Sequence, residues 1–183
     1  MRSERLRMQL MAALFAGFTA ICAQIHIPLP FTPVPETGQT VGLGLAAILL
    51  GSRYGALSAA IYVLLGAVGM RVFAGLSGGM HVIVGPTGGY IIAFAFAAFL
   101  IGWLMERREQ PGILWAFVAN VLGTVIILIA GTVQLKFVSG FSWQQAFFGG
   151  FVPFILGAVV KSFLAASIGV VLHRRLSRLG LTK

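Results

Sequence analysis

Apolar residues run along this chain in long blocks between residues 8 and 172, and nearly every charge falls between blocks. A helix rises about 1.5 Å per residue, so roughly 20 apolar residues cross a bilayer. The pattern predicts six spans, at about residues 9–24, 39–51, 54–69, 90–105, 113–135 and 149–172. The second is short and rich in glycine. The uncharged run 72–105 is too long for one helix, so its first half, "VFAGLSGGMHVIVGPTGGY", is expected to be a folded loop. Non-helical backbone is tolerated at membrane depth only where protein buries it or where it lines a cavity.

That loop holds six glycines between Gly75 and Gly89. Glycine allows positive φ and lets backbone approach a ligand, offering N–H and C=O groups as fixed partners. A close-packed re-entrant turn without a ligand would use glycine equally well, and composition alone leaves both readings open.

Composition agrees with the blocks: of 183 residues 58% are hydrophobic and 9% charged, and the mean hydropathy is +0.98. These values describe an all-α integral membrane protein, one membrane domain over residues 1–183 in which no stretch is large enough for aqueous chemistry. The apolar run after "MRSERLR" has no clear small-x-small cleavage site, so the first helix is expected to be retained. Cys22 cannot form an internal disulfide and is read as a buried small residue.

The net charge of +9 is a topology signal and does not point to nucleic acid, because the basic residues are scattered singly or in pairs. Arg2, Arg5, Arg7, Arg53, Arg107, Arg108, Arg174, Arg175, Arg178 and Lys183 fall on one side of the six spans, against Arg71 and Lys136 on the other. The positive-inside rule then makes both termini cytoplasmic and turns "HIPLPFTPVPETG", the glycine-rich loop and "FVSGFSWQQ" outward.

Lys161 lies about eleven residues from either end of the last predicted span, where insertion of a lysine costs about 2.5–3.5 kcal/mol. The chain has no aspartate, and of its four glutamates Glu4, Glu106 and Glu109 fall on the cytoplasmic side, which leaves Glu36 as the one candidate partner. An intramembrane cation without an obvious internal counter-ion points to one that arrives as substrate, for example a carboxylate. Snorkelling, bonding to backbone carbonyls or a neutral amine is the alternative. His26, His81 and His173 are far apart with no acidic or cysteine cluster beside them, so neither a metal site nor a cofactor is expected. "GPTGGY" lacks the lysine and hydroxyl of a phosphate loop, and the "TVGYG" order of a potassium filter is absent. With no paired acid, nucleophile or metal ligand, an intramembrane enzyme using Lys161 is the weaker alternative, and a purely structural subunit a third. In the first span Ala12, Ala16 and Ala20 recur every four residues, with Ala13 and Gly17 in a row beside them. Such a face suits close helix packing, within the chain or against a partner subunit.

In order along the chain, "PLPFTPVPETGQT", "LLGAVGMRVFAG", "SGG", "VGPTGGY" and the lysine of "LGAVVK" resemble the BioY biotin transporters. The resemblance covers nearly the whole chain. It implies the substrate-binding S component of an energy-coupling factor (ECF) transporter in the bacterial cytoplasmic membrane: six transmembrane helices, with the loops between spans 1 and 2 and spans 3 and 4 closing over biotin. It further implies that Ala12, Ala16 and Ala20 dock on a membrane coupling subunit driven by two ATPases, with self-association the alternative if the protein works alone. A pocket for another small carboxylated vitamin remains the neighbouring possibility.

Carried onto this chain, the biotin carboxylate is expected at Lys161, the bicyclic ring against Phe31, Phe73 and Tyr90, and the ureido group on Gln39, Thr87 and the backbone of Gly85, Pro86, Gly88 and Gly89. Two positions depart from the family pattern. Ala158 stands where an aspartate is usual three residues before the lysine, and Glu36 stands where the family is usually apolar. The departures imply a modified pocket, weaker binding, or a polar group moved from the last helix to the first outer loop.

Overall fold

The computed structural model describes the backbone of residues 2–178 and the side chains of residues 4–176; the charges of Arg2, Arg178 and Lys183 lie outside the described side chains. The elements are α1 (Arg2–Ala23), β1 (His26–Ile27), β2 (Glu36–Thr37), α2 (Gln39–Ala67), a 3-10 turn (Ala74–Leu76), α3 (Met80–Val84), α4 (Gly88–Glu106), α5 (Ile113–Ser139), α6 (Trp143–Gly150) and α7 (Phe154–Arg178).

Five of these helices are long and apolar enough to cross a membrane, and one of them is in fact two. Gly51 breaks α2 with φ 76° and ψ −173°, a conformation open to glycine. The Gln39 amide reaches the Tyr62 hydroxyl at 2.5 Å, although 23 residues of straight helix would hold them about 35 Å apart. The chain therefore reverses at Gly51, and residues 39–50 and 52–67 are antiparallel neighbours, α2a and α2b. Glu106, from the end of α4, accepts from the Ser52 amide at 2.8 Å and the Ser52 hydroxyl at 2.8 Å. The carboxylate thus caps the exposed N–H groups at the start of α2b, where negative charge is favoured. The two short spans predicted on either side of Gly51 are the two arms of this hairpin.

The basic residues converge at one end of the bundle, where Arg5, Arg7, Arg53 and Arg108 share one open cavity. Aromatic residues hold cations at both boundaries: Arg107 lies 3.9 Å from the centre of the Trp103 ring and Arg108 4.2 Å from that of Trp115. At the other end, Lys136 sits 4.4 Å from the Phe137 ring and 4.9 Å from Trp143. Aromatic residues at these levels mark the membrane–water boundary. The loops after α1, α2b and α5 gather at this second, loop end.

Two expectations are corrected here. Ala12 and Ala16 are buried because α1 lays that face on α2: Ala12 packs with Leu49 and Leu50, and Thr19 meets Gly42 so closely that a Cβ there would lie 2.9 Å from its hydroxyl. Ala20 is partly buried beside the same core. The Ala12, Ala16 and Ala20 row is thus internal packing, and the small residues left exposed on α1 are Ala13 and Gly17. Secondly, the last long helix, α7, begins at Phe154 and not at Gly149. Pro153 has no N–H to give and separates α6 from α7, so Lys161 lies seven residues into α7, about 10 Å from its start. It stands on the loop-end side of the helix midpoint, Ala166.

Candidate functional site

At the loop end lies a cavity of about 350 Å³, within the range of small-molecule sites, about 300–1,000 Å³. Pro33, Val34, Pro35 and Thr37 of the first loop roof it, the second loop contributes Phe73, Ala74, Ser77 and Gly85–Thr87, and the floor is Tyr90, Ile91, Phe94, Ile127, Leu128 and Phe154. Most of this wall is apolar. Its polar groups are the side chains of Thr37, Gln39, Thr40, Ser77, His81, Thr87, Thr124 and Lys161. A wider cavity of about 750 Å³ lies at the basic end, walled by arginine and glutamate side chains where the topology signal places them.

Each wall has a physical support. Gln39 opens α2a and joins a chain in which Thr37 donates to Gln39 at 2.7 Å, Gln39 to Tyr62 at 2.5 Å and Tyr62 to the Val72 carbonyl at 3.0 Å. The two loops are therefore tied through one buried amide. Phe73 is 1% exposed; its ring stands edge-on to Tyr62 at 5.5 Å and fills the space that a side chain at Gly66 would need. The Tyr90 ring lies against Gly131, and its hydroxyl donates to the Gly150 carbonyl at 2.7 Å. Thr40 lines the cavity with a buried hydroxyl that has no partner among the described residues.

Lys161 is the one full charge among the lining residues. It is not waiting for an external counter-ion, as the sequence led us to expect. It pairs with Glu36 and donates to the Thr37 carbonyl at 2.9 Å. Glu36 reaches it because the antiparallel ladder His26–Thr37 and Ile27–Glu36 holds the first loop down over α7, and because Gly157 leaves room for the carboxylate. Ala158, the other departure, faces the cavity beside it.

The structure brings Lys161, Gln39, Phe73, Gly85, Pro86, Thr87 and Tyr90 to this cavity and leaves three expected residues out. Phe31 is 61% exposed on the outer surface of the first loop. Gly88 and Gly89 are helical and face packing: a Cβ on Gly88 would overlap the Ile83 carbonyl, and one on Gly89 would fall 2.8 Å from the Gln134 Cβ. Glycine is required there by close approach of the backbone to α5 and to α3, and their φ angles are ordinary; positive φ in this region belongs to Gly69, Gly75, Leu76 and Gly79.

Sequence reasoning missed two amides that hold the second loop. Gln134 donates to the carbonyls of Ile83 and Gly85, both at 2.8 Å. Gln24 donates to Phe73 O at 3.2 Å and accepts from the Leu76 amide at 3.0 Å. The signal was present: each is an uncharged polar residue at the end of an apolar span, next to loop backbone that must find partners.

The model of the BioY family matches residues 1–178. This chain belongs to the BioY family. Among its relatives, the biotin transporter BioY of Thermotoga maritima is 40% identical, over 92% of this chain and 97% of that protein. The biotin transporter BioY2 of Lactococcus lactis is 35% identical, over 97% and 96%. The S-component for biotin from an ECF-type ABC transporter, solved by crystallography, superposes with a TM-score of 0.87 at 28% identity, covering 95% of this chain and 94% of that one. This BioY protein is therefore a multi-pass membrane transport component with an S-component fold, and not an enzyme.

Proposed function

We propose that this BioY protein captures biotin in the loop-end cavity and delivers it across the membrane as the S component of an ECF-type transporter. The observation that carries the reading is the cavity itself: a mostly apolar space of about 350 Å³ with one polar, lysine-bearing end, roofed by two loops in a chain of S-component fold. Phe73, Tyr90 and Phe94 give a compact bicycle its walls. Gln39, Thr40, Thr87 and Lys161 give hydrogen bonds.

The basic end is cytoplasmic in this reading, so the two loops meet biotin from outside. Membrane coupling and ATPase subunits are the partners. The surface of α1 available to them carries Ala13, Leu14, Gly17 and Phe18, since the Ala12 face is already packed.

Equilibrium binding of labelled biotin to detergent-purified protein, with pantothenate and riboflavin as competitors, tests the proposal. Stoichiometric binding that neither competitor displaces is the expected result. Displacement by pantothenate would assign the cavity to another carboxylated vitamin, and no binding at all to a well-folded preparation would reject it.

A further inference from the structure

The charge at the lysine end of the cavity is compensated from behind the wall. Pro35 and Thr37 line the cavity, and in an extended segment successive side chains point to opposite sides. Glu36, between them, is accordingly turned to α7: a Cβ on Gly157 would lie 2.5 Å from its Oε1 and 2.9 Å from its Cδ. The carboxylate is not among the lining groups, and Lys161 reaches out of the wall to meet it. Both bonds of the ammonium, to Glu36 and to the Thr37 carbonyl, go to this one segment.

We infer that Glu36 is a specificity-determining residue: it occupies from behind the wall the counter-ion position at Lys161 that an anionic ligand would otherwise fill, so the cavity selects an uncharged hydrogen-bonding group at its lysine end. An ammonium has three donors, and two are used, which leaves one for a ligand carbonyl. Thr40, another residue of the lining, carries a neutral hydroxyl with no partner among the described residues. A ligand carboxylate brought to Lys161 would place two anions on one cation, and like charges in one site disfavour each other. The inference rests on the biotin reading; for biotin the uncharged group is the ureido ring, and the carboxylate is left toward the mouth.

The test is equilibrium binding of biotin and of biotin methyl ester to the wild type, to Glu36→Gln and to the double variant Glu36→Gln, Lys161→Gln. In the wild type the acid is expected to bind less than about fivefold more tightly than the ester, because the lysine is already neutralised. In Glu36→Gln the uncompensated lysine should favour the acid by about fivefold or more, and the double variant should return to the wild-type ratio. A wild-type preference for the acid of about fivefold or more overturns the inference, as does an acid-to-ester ratio that Glu36→Gln leaves unchanged. If Glu36→Gln does not fold, the wild-type ratio decides by the same threshold. Loss of both compounds from folded wild type would sink the biotin reading, and this inference with it, whereas tight binding with the wrong ratio sinks the inference alone.

Discussion

The two loops that roof the cavity are built on opposite principles. The second, residues 68–87, is held by backbone bonds within itself and to the end of α2b: Phe73 N–H bonds Ser77 O at 3.0 Å, and Gly79 N–H bonds Gly66 O at 2.6 Å. Four residues at positive φ shape it, two side-chain amides clamp it, and Phe73 anchors it in the core. The first, residues 24–38, has a ladder of two residue pairs, two prolines in its roof and a tie to α7 through one side chain, Lys161, which bonds Glu36 and the Thr37 carbonyl. Backbone bonds in a dry site are expensive to open, whereas one ion pair on a short strap can be exchanged. The second loop is therefore the more firmly held wall of the cavity and the first the more weakly held one.

Removing the anchor should have the largest effect. Phe73→Ala is expected to cost about 3–5 kcal/mol of stability, as a buried ring and its cavity are lost, and to abolish biotin binding. Unfolding in detergent, followed by tryptophan fluorescence, checks it; an unshifted transition would show that Phe73 does not anchor the wall. Gly89→Val should cost about 1–3 kcal/mol by forcing α4 off α5. That loss must appear in stability without ligand, and a defect seen only in biotin affinity would restore Gly89 to the cavity.

Gln134→Leu leaves the Ile83 and Gly85 carbonyls without their donor and should cost about 1–3 kcal/mol, with faster hydrogen exchange confined to residues 79–88. Uniform exchange rates across both loops would argue against a clamp. Glu36→Ala should cost about 1–2 kcal/mol, between the values for exposed and buried ion pairs, and loosen only the first loop. An aspartate at 158 is three residues before Lys161 on one helix face, so adding Ala158→Asp to Glu36→Ala should give the lysine a counter-ion again and bring the acid-to-ester ratio back toward the wild-type value while the first loop stays loose; a ratio no different from that of Glu36→Ala would show that the acid must come from the loop. The smallest effect belongs to Phe31→Ala, within about 0.5 kcal/mol, since that ring touches neither core nor cavity. A tenfold loss of biotin affinity there would place Phe31 in the closed lid after all.

These variants also separate what the sequence could tell from what it could not. Hydropathy located every long helix and divided α2 into spans 39–51 and 54–69, because apolar length is a property of one segment against one solvent. Which face of α1 looks inward was not legible, since Ala12 and Ala13 rows suit lipid, partner or core equally, and only the presence of Leu49 and Leu50 decides. The Glu36–Lys161 pair joins residues 125 apart. Charge inventory named Glu36 as the one candidate, but closing it onto α7 depended on the strap's ladder and on Gly157, neither of which has a periodic signal. Lys161→Ala accordingly tests less than the sequence promised: it strands Glu36 as well as removing a donor, so lost binding would not by itself assign the ligand carboxylate.

The Gly51 reversal also fixes how deep the cavity sits. Residues 39–50 make a helix of about 18 Å, while a hydrocarbon core is about 30 Å thick. With Gly51 and its arginine neighbour at the basic boundary, the Gln39 end of this arm falls about 12 Å short of the opposite one. Lipid thinning or tilt can make up part of such a mismatch, but the cavity floor, which Gln39 opens, remains recessed. A ligand that settles there lies up to about two-fifths of the core thickness below the loop-side boundary.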